Sequence, residues 1–223
     1  KLLWGANTRK ALNAVLNKSE IGTGVIFKRG VEIDVPINPS SYYYYDVTEN
    51  FGARSQTAEE YLRNDGWTRD EDGKYSKVID GRESSLSLRL LVNSDNQEKV
   101  TVAEQIADYY NKFGIEITLD KCSYSEYQSK ITLKNFDLFL GETEIPNTMD
   151  PSKLVRSGQN YFTYENAELD EVINNMGKTT DSEVLKTLFI QYGDIVTNDM
   201  PFIPLYYRKS GIAYRNRIIS GLS

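Results

Sequence analysis

The sequence predicts an α/β domain with a mixed, largely parallel central sheet flanked by helices. Apolar segments of strand length alternate with segments of helical period between residues 86 and 140. The connections between them are short, and this order indicates parallel strands joined by right-handed crossovers. A chain of 223 residues can bury a sizeable core, so we expect a single domain over residues 1–223.

The first helix is expected to begin at Asn7 or Thr8, since both side chains can cap the apolar periodic segment that follows. Glycines and prolines are frequent from residue 22 to residue 50, where no helical period is present. We therefore predict a long ordered loop over residues 22–50, with a short strand near residues 31–35.

The next elements are a helix and a hairpin. Thr57 and Glu60 form a capping box, which predicts the start of a helix. Residues 75–79 and 86–92 have strand composition, and Asp80-Gly81 between them is a strong hairpin signal. The second of these strands becomes continuously apolar, which suggests that it runs from the edge to the interior of the sheet.

Three strands and two helices make up the centre of the prediction. Residues 98–113 have a helical pattern that Gly114 closes. A strand over residues 115–119, a helix over residues 123–133 and a strand over residues 136–140 follow. These elements complete the parallel part of the sheet.

The carboxyl-terminal quarter is predicted to be mainly helical. One helix covers residues 167–176, and a longer helix is capped near Asp181. Residues 202–208 and 212–215 are strand candidates, and the prolines in the first of these place it near an edge. The α/β core is thus expected to extend over residues 57–216.

Composition narrows the range of functions. The chain has no histidine, which removes the commonest general base and the usual zinc ligand. Its net charge of −6 argues against a nucleic-acid partner. The single cysteine, Cys122, cannot form an internal disulfide and is expected to be a buried apolar residue. We expect no catalytic group, no cofactor and no metal site.

Short motifs in a fixed order resemble the extracellular solute-binding proteins of family 5, the group that binds oligopeptides, dipeptides and nickel for ABC importers. The resemblance covers nearly all of the chain. It rests on Arg9-Lys10-Ala11-Leu12, Gly66-Trp67, Gly114-Ile115-Glu116-Ile117, Phe136-Asp137-Leu138 with Gly141, Tyr164-Glu165-Asn166 and Met200-Pro201. Asn17-Lys18 departs from the Asp-Arg pair that is usual in this family.

The resemblance implies an excised, carboxyl-terminal-type lobe of a two-lobed protein with a periplasmic-binding-protein-like fold. Such a lobe closes with the missing lobe of the same protein over a solute, and closure is a population shift that the ligand drives. A short peptide or other small molecule is the implied ligand, and the permease of an ABC importer is the implied partner. The implied location is extracellular or periplasmic, with tethering to the membrane through an amino-terminal segment absent here.

Solutes of open parallel sheets bind beyond the carboxyl ends of the strands. In the family a tryptophan often stands at the position of Glu142, and a nearby acidic residue can pair with the amino group of a peptide, a role that Glu144 could fill. Residues 42–45 are four tyrosines, which either pack on their own scaffold or form a ligand wall. The predicted ligand-binding residues are Gly141, Glu142, Thr143, Glu144, Asn93 and Tyr43.

Two other functions remain open from the residues. Glu142 and Glu144 could act as the acid and nucleophile of a glycoside hydrolase, since alternation in an extended segment turns both toward one face. The tyrosine-rich loop could instead be the contact surface of a protein-interaction module.

Overall fold

The computed structural model describes residues 1–25, 30–45, 55–145 and 149–208, and these contain eight helices and eight strands. The helices are α1 (Ala6–Val15), α2 (Lys18–Val25), α3 (Ser55–Asn64), α4 (Gln97–Phe113), α5 (Tyr124–Thr132), α6 (Ser152–Val155), α7 (Ala167–Met176) and α8 (Ser182–Asp199). The strands are β1 (Gly30–Glu32), β2 (Thr68–Arg69), β3 (Tyr75–Ile79), β4 (Arg82–Ser85), β5 (Ser87–Asn93), β6 (Glu116–Cys122), β7 (Leu138–Phe139) and β8 (Tyr206–Arg208).

A parallel sheet with the strand order β6-β5-β7 forms the centre of the fold. Strand β5 pairs with β6 from Ser87 opposite Glu116 to Asn93 opposite Cys122. On its other side β5 pairs with β7, with Leu90 opposite Leu138. Two further sheets, β2-β3-β4 and β1-β8, are antiparallel. The predicted α/β fold with a parallel central sheet is confirmed, while the antiparallel strands of the described residues form separate sheets and not part of a mixed central one.

The two faces of the parallel sheet are covered by different helices. Leu88 and Leu90 of β5 belong to a core that also contains Ala103 and Ile106 of α4. Leu91 points to the opposite face, where it packs with Tyr127 of α5. Alternate residues of a strand point to opposite faces, so the continuously apolar part of β5, residues 90–92, is the expected sequence of a strand segment buried on both sides.

The hairpin prediction was right about the turn and wrong about one strand. Asp80 and Gly81 have φ values of 51° and 76°, as a two-residue hairpin turn requires. The partner of β3 is β4, however, and β5 belongs to the parallel sheet. The polar residues of β4 gave no strand signal, because an exposed strand that only completes a hairpin buries little apolar surface.

Helix α1 is not capped by Asn7 or Thr8 as predicted. Its N-cap is Gly5, and a carboxylate oxygen of Asp65 accepts hydrogen bonds from the amide and the hydroxyl of Thr8, both at 2.6 Å. A Cβ at Gly5 would lie 1.8 Å from this oxygen. Glycine therefore leaves room for a capping group that comes from the end of α3, and sequence spacing cannot reveal such a group.

The predicted loop of residues 22–50 is shorter than expected at its start, because α2 continues to Val25. Ile21 in this helix is buried in the main core, and its burial outweighs the weak helix propensity of the nearby glycines. Lys18 pairs with Asp34 at 2.6 Å in a nearly buried salt bridge, which joins α2 to the segment after β1. Residues 26–29 and 46–54, and the strand candidate 212–215, lie outside the described residues.

A second core lies between α7, α8 and the segment of residues 33–45. Val35 and Ile37 are buried in it, together with Leu169 of α7 and Tyr192 of α8. The side chain of the residue before each helix provides the cap, Asn166 for α7 and, as predicted, Asp181 for α8.

Strand β8 is shorter than the candidate strand of residues 202–208. It begins at Tyr206, after Pro204, because proline has no amide hydrogen for sheet pairing. Its partner β1 is the short strand expected near residues 31–35, with Val31 opposite Tyr207.

Arg9 connects the segment before α1 and α1 itself to the distant end of α8. Its guanidinium group donates five hydrogen bonds to backbone carbonyl oxygens, which belong to Leu3, Trp4, Asp199 and Met200. The planar group of arginine can serve all of these carbonyls at once. Burial lowers the pKa of Arg9 from its ordinary value, and the charge of Asp199 opposes this shift.

Asp199, whose carbonyl accepts from Arg9, also binds the Tyr164-Glu165-Asn166 motif through its side chain. The carboxylate of Asp199 accepts a hydrogen bond of 2.6 Å from the Tyr164 hydroxyl and one of 2.8 Å from the Asn166 side-chain amide. Three of the short motifs singled out in the sequence therefore meet at the end of α8. Burial and the bond to Asp199 raise the pKa of Tyr164, so its hydroxyl stays protonated as a donor.

We expect Arg9→Lys to lower the free energy of unfolding by about 2 kcal/mol, because lysine keeps the charge but leaves several carbonyls without a donor. Urea denaturation of this chain would measure the change through the midpoint at constant slope. The matched control is Arg63→Lys at an exposed position, expected to change stability by less than about 0.5 kcal/mol. Equal effects of the two substitutions would contradict the role given to Arg9.

Candidate ligand-binding site

An open cleft of about 1250 Å³ runs along β7. One wall is β7 with the loop that follows it, residues 136–145, and the opposite wall is the segment 199–208 after α8. Residues 161–165 close one side. The volume exceeds the usual range for a drug-sized ligand, and a cleft of this size can accommodate a short oligomer.

The floor of the cleft is apolar. It is formed by buried residues of the main core, among them Leu88, Leu90, Ile106 and Tyr110. Tyr110 is fully buried, and its hydroxyl donates to the carbonyl oxygen of Leu12 at 3.1 Å. The polar groups of the cleft are therefore concentrated at its rim, where the loop after β7 lies.

The loop of residues 141–144 begins from a fixed point. The amide of Leu140 donates to the Leu91 carbonyl at 2.9 Å, which extends the pairing of β7 with β5. The carbonyl oxygen of Leu140 accepts a hydrogen bond of 2.8 Å from the Tyr127 hydroxyl. Both backbone groups of Leu140 are thus satisfied, and the chain leaves the sheet at Gly141 at the carboxyl end of β7.

The two glutamates of the loop have different surroundings. Glu142 pairs with Lys99 at 3.2 Å and with Arg208 at 3.7 Å, and Arg208 also pairs with Glu98 at 3.0 Å. Glu144 is exposed at the rim and has no ionic or hydrogen-bonding partner within the ranges that the structure describes. Glu144 is therefore the carboxylate of this loop that is available to a ligand.

Five of the aromatic rings that line the cleft are in contact with one another and are called the aromatic row below. Phe139 is its centre, since its ring lies 4.9 Å from that of Phe136, 6.1 Å from that of Tyr161 and 5.7 Å from that of Phe162. The ring of Phe202, in the opposite wall, is stacked 6.2 Å from Phe162. The aromatic row thus spans the cleft from the parallel sheet to the segment after α8.

Glycine at position 141 makes room for this arrangement. A Cβ on Gly141 would lie 2.7 Å from Cε2 of the Phe139 ring and 3.5 Å from the Tyr127 hydroxyl. A carbon–carbon distance of 2.7 Å is well inside van der Waals contact. Any other residue at position 141 would displace the central ring of the aromatic row.

The predicted ligand-binding residues fall into two groups. Gly141, Glu142, Thr143 and Glu144 all line the cleft. Asn93 lies at the carboxyl end of β5, where its side-chain oxygen accepts from the Asp95 amide at 3.0 Å, and it is outside the lining.

Tyr43 is also outside this lining. Its ring stacks on Phe189 of α8 at 5.0 Å, and the hydroxyl of Tyr45 donates to the Ile190 carbonyl at 2.8 Å. The tyrosines of this loop pack on their own scaffold, which is the first of the two interpretations given to the run. The aromatic row, by contrast, was not predicted from the sequence. The only indication there was that aromatic residues lie beside the end of a predicted strand.

Other kinds of site find little support in the described part of the chain. No group of three or more potential metal ligands occurs among these residues. No helix there is long and apolar enough to span a membrane. Burial raises the pKa of the Cys122 thiol, which packs with Leu91 and Tyr127, so it is poorly nucleophilic.

An α/β lobe with an open cleft at the end of a parallel strand is the architecture of a periplasmic-binding-protein-like solute receptor. Residues 5–165 match the family model of the bacterial extracellular solute-binding proteins, family 5 middle region. The match covers well over half of the chain. This protein therefore belongs to family 5 of the extracellular solute-binding proteins, as its motifs predicted.

Several relatives resemble this chain along most of its length. The oligopeptide-binding protein AppA of Bacillus subtilis (strain 168) is 25% identical over 215 residues, which cover 92% of this chain and 39% of AppA. The structure of AppA in complex with a nonapeptide has a TM-score of 0.80 at 24% identity and covers 93% of this chain and 42% of that chain.

Two other structures share the fold at lower identity. The oligopeptide-binding protein of Thermus thermophilus, complexed with a pentapeptide, has a TM-score of 0.79 at 18% identity, over 91% of this chain and 38% of that one. A mannohexaose-bound periplasmic oligopeptide-binding protein of Thermotoga maritima has a TM-score of 0.78 at 19% identity, over 92% and 41%. This chain spans about two fifths of the length of the relatives that it matches.

We expect Gly141→Ala to displace the Phe139 ring and to lower stability by about 1 kcal/mol, because the new methyl group must push the ring out of its packing. Thermal unfolding and the NMR shifts of the Phe139 ring protons would measure these effects. The control is Gly177→Ala, where the nearest atom to a new Cβ is 3.7 Å away and no destabilisation is expected. Unchanged ring shifts in Gly141→Ala would contradict the proposed contact.

Proposed function

We propose that this chain forms one lobe of the solute-binding component of an ABC importer and that the intact protein captures short peptides. The observation that carries the proposal is the open cleft beside the loop of residues 141–144, in a chain that belongs to family 5. The relation to AppA, which binds a nonapeptide in its solved structure, supports peptides over other solutes.

A cleft open on one side needs a cover to enclose a ligand. The relatives are more than twice as long as this chain, so we assign this cover to the remainder of the same protein. Closure of two lobes excludes water from the ligand and makes the contacts of both lobes simultaneous. The ligand then stabilises the closed state by the difference between its affinities for the two states.

Glu144 is our candidate for recognition of the peptide amino group. The carboxylate stands at the rim without a partner among the described residues, and a charge-assisted hydrogen bond to an ammonium group is stronger than a neutral one. Glu142 has the different role of tying the loop to α4 and β8 through Lys99 and Arg208. Asn93 and Tyr43 remain candidates only for contacts that the closed protein would create.

The hydrolase alternative is less consistent with these surroundings. A glycoside hydrolase needs a carboxylic acid that can protonate the leaving group and a second carboxylate opposite it. Glu142 is engaged with two cations, Lys99 and Arg208, which favour its ionised form and leave it poorly suited to protonate a leaving group. We therefore propose a binding protein that is not an enzyme.

The interaction-module alternative is less consistent with the structure, since Tyr43 and Tyr45 are engaged with α8 and, of the four tyrosines of this run, only Tyr42 is exposed, at 59%. We place the intact protein outside the cytoplasmic membrane, as is typical of its family, with a tether to that membrane and a permease as its docking partner. The lobe described here would then present its cleft to the solute and another surface to the permease.

We expect Glu144→Gln in the full-length protein to weaken the binding of a pentapeptide with a free amino group about tenfold, as the loss of one charge-assisted hydrogen bond implies. An amino-terminally acetylated copy of the peptide should be insensitive to the substitution. Calorimetric titration would give both affinities. The control is Glu71→Gln, an exposed carboxylate in a turn outside the cleft, which should change neither.

If Glu144→Gln lowered the affinity for the free and the acetylated peptide equally, Glu144 would not recognise the amino group. Peptide capture itself would still stand. A thermal-shift screen of the full-length protein tests the peptide class itself, because a ligand stabilises the folded state that binds it. Stabilisation by a sugar with none by di- to pentapeptides would overturn the peptide assignment.

A further inference from the structure

The aromatic row presents ring surface to the cleft. Tyr161 is 38% exposed, and the rings of Phe139, Phe162 and Phe202 are partly buried while lining the cleft. The centroid distances between successive rings are those of favourable aromatic pairs, and both edge-on and stacked arrangements are present. A further ring that enters the cleft can therefore meet either a face or an edge.

The segment that carries two of these rings is held by a buried amide. Asn160 is 8% exposed, and its side-chain nitrogen donates to the carbonyls of Arg156 at 2.9 Å and Tyr164 at 2.8 Å. Its side-chain oxygen accepts from the Phe162 amide at 2.9 Å. All three of these hydrogen bonds fix a short loop, and this arrangement limits the entropy that Tyr161 and Phe162 would lose on contact with a ligand.

Cations near the aromatic row are already engaged. Lys134 donates to the Phe162 carbonyl at 2.8 Å, and Lys99 and Arg208 pair with Glu142. These contacts leave aromatic and apolar surface at the aromatic row, where Phe136 and Phe139 pack on the α5 face of the sheet with Leu91 and Tyr127. A charged ligand side chain placed against these rings would lose part of its hydration, and the rings themselves offer no counter-charge.

We propose that the aromatic row is a specificity subsite, which binds an aromatic side chain of the ligand. The proposal rests on the proposed function, because the ligand must be a peptide that lies in this cleft. Tyr161 offers the exposed ring of the subsite, and the rings of Phe139, Phe162 and Phe202, which contact one another, support it and present their remaining exposed surface to the cleft. Gly141 and Asn160 are positioning residues, the first by leaving room for Phe139 and the second by fixing the loop of Tyr161 and Phe162.

If the aromatic row is such a subsite, the protein should bind a peptide with an aromatic side chain more tightly than one with an aliphatic or polar side chain of similar size. Aromatic pairs are favourable beyond the area that they bury, whereas a serine side chain would leave the same rings in contact with water or a void. The preference should be confined to one or two positions along a peptide, because the aromatic row occupies only part of a long cleft.

The test uses the full-length protein and five alanine-based pentapeptides, each with one phenylalanine at a different position, together with their serine counterparts. For at least one position we expect the phenylalanine peptide to bind about tenfold more tightly than its serine counterpart. In Tyr161→Ala this ratio should fall at least about threefold at that position, as the loss of one aromatic contact implies. Because Tyr161 is partly exposed, the variant is expected to remain folded.

Tyr124→Ala is the matched control, since Tyr124 is 55% exposed and lies outside the cleft lining. It should leave every ratio unchanged. Peptide binding with the same affinity for all phenylalanine and serine pairs would overturn the subsite and leave the proposed function standing. Equal weakening of both members of a pair by Tyr161→Ala would also overturn it, because the ring would then pack against the protein and not the ligand. Failure of every peptide to bind would overturn the proposed peptide function instead.

Discussion

The fold depends on the hydrogen bonds of one guanidinium group. Arg9, in the first helix, binds carbonyls of the preceding segment and of the end of α8, so that segments from opposite ends of the described chain meet at one point. Asp199 extends this contact to Tyr164 and Asn166 through its side chain. Lysine could not replace arginine here, because the donors must lie in a plane and point in several directions.

The cleft follows from this arrangement. Helix α1 packs with α4 and β5 in the main core, while the segment after α8 begins the opposite wall of the cleft. Arg9 therefore holds the start of this second wall against α1, and the rings of Phe162 and Phe202 join the two sides of the cleft. A cleft pre-formed in this way would reduce the entropy cost of taking up the proposed ligand.

Much of the fold could be predicted from sequence because its signals are local. Helix α7 and strand β3 have the predicted bounds, and α4 ends at Gly114 in a left-handed conformation. The exceptions depend on distant residues: the cap of α1 comes from Asp65, and β4 is a strand only through its pairing with β3. The loop of residues 141–144 could be placed from strand order alone, but the aromatic row joins residues 136 and 202, whose proximity no spacing rule gives.

The packing of the tyrosine run on α8 has a consequence for colloidal behaviour. Four consecutive tyrosines without charge form part of a segment that, in an unfolded chain, favours intermolecular β-pairing. In the native protein Tyr43 and Tyr45 are engaged by Phe189 and the Ile190 carbonyl, and Tyr42 bonds to Glu183 of the same helix. Helix α8 therefore covers part of this segment in the native protein, and unfolding of the helix would expose these rings to other chains.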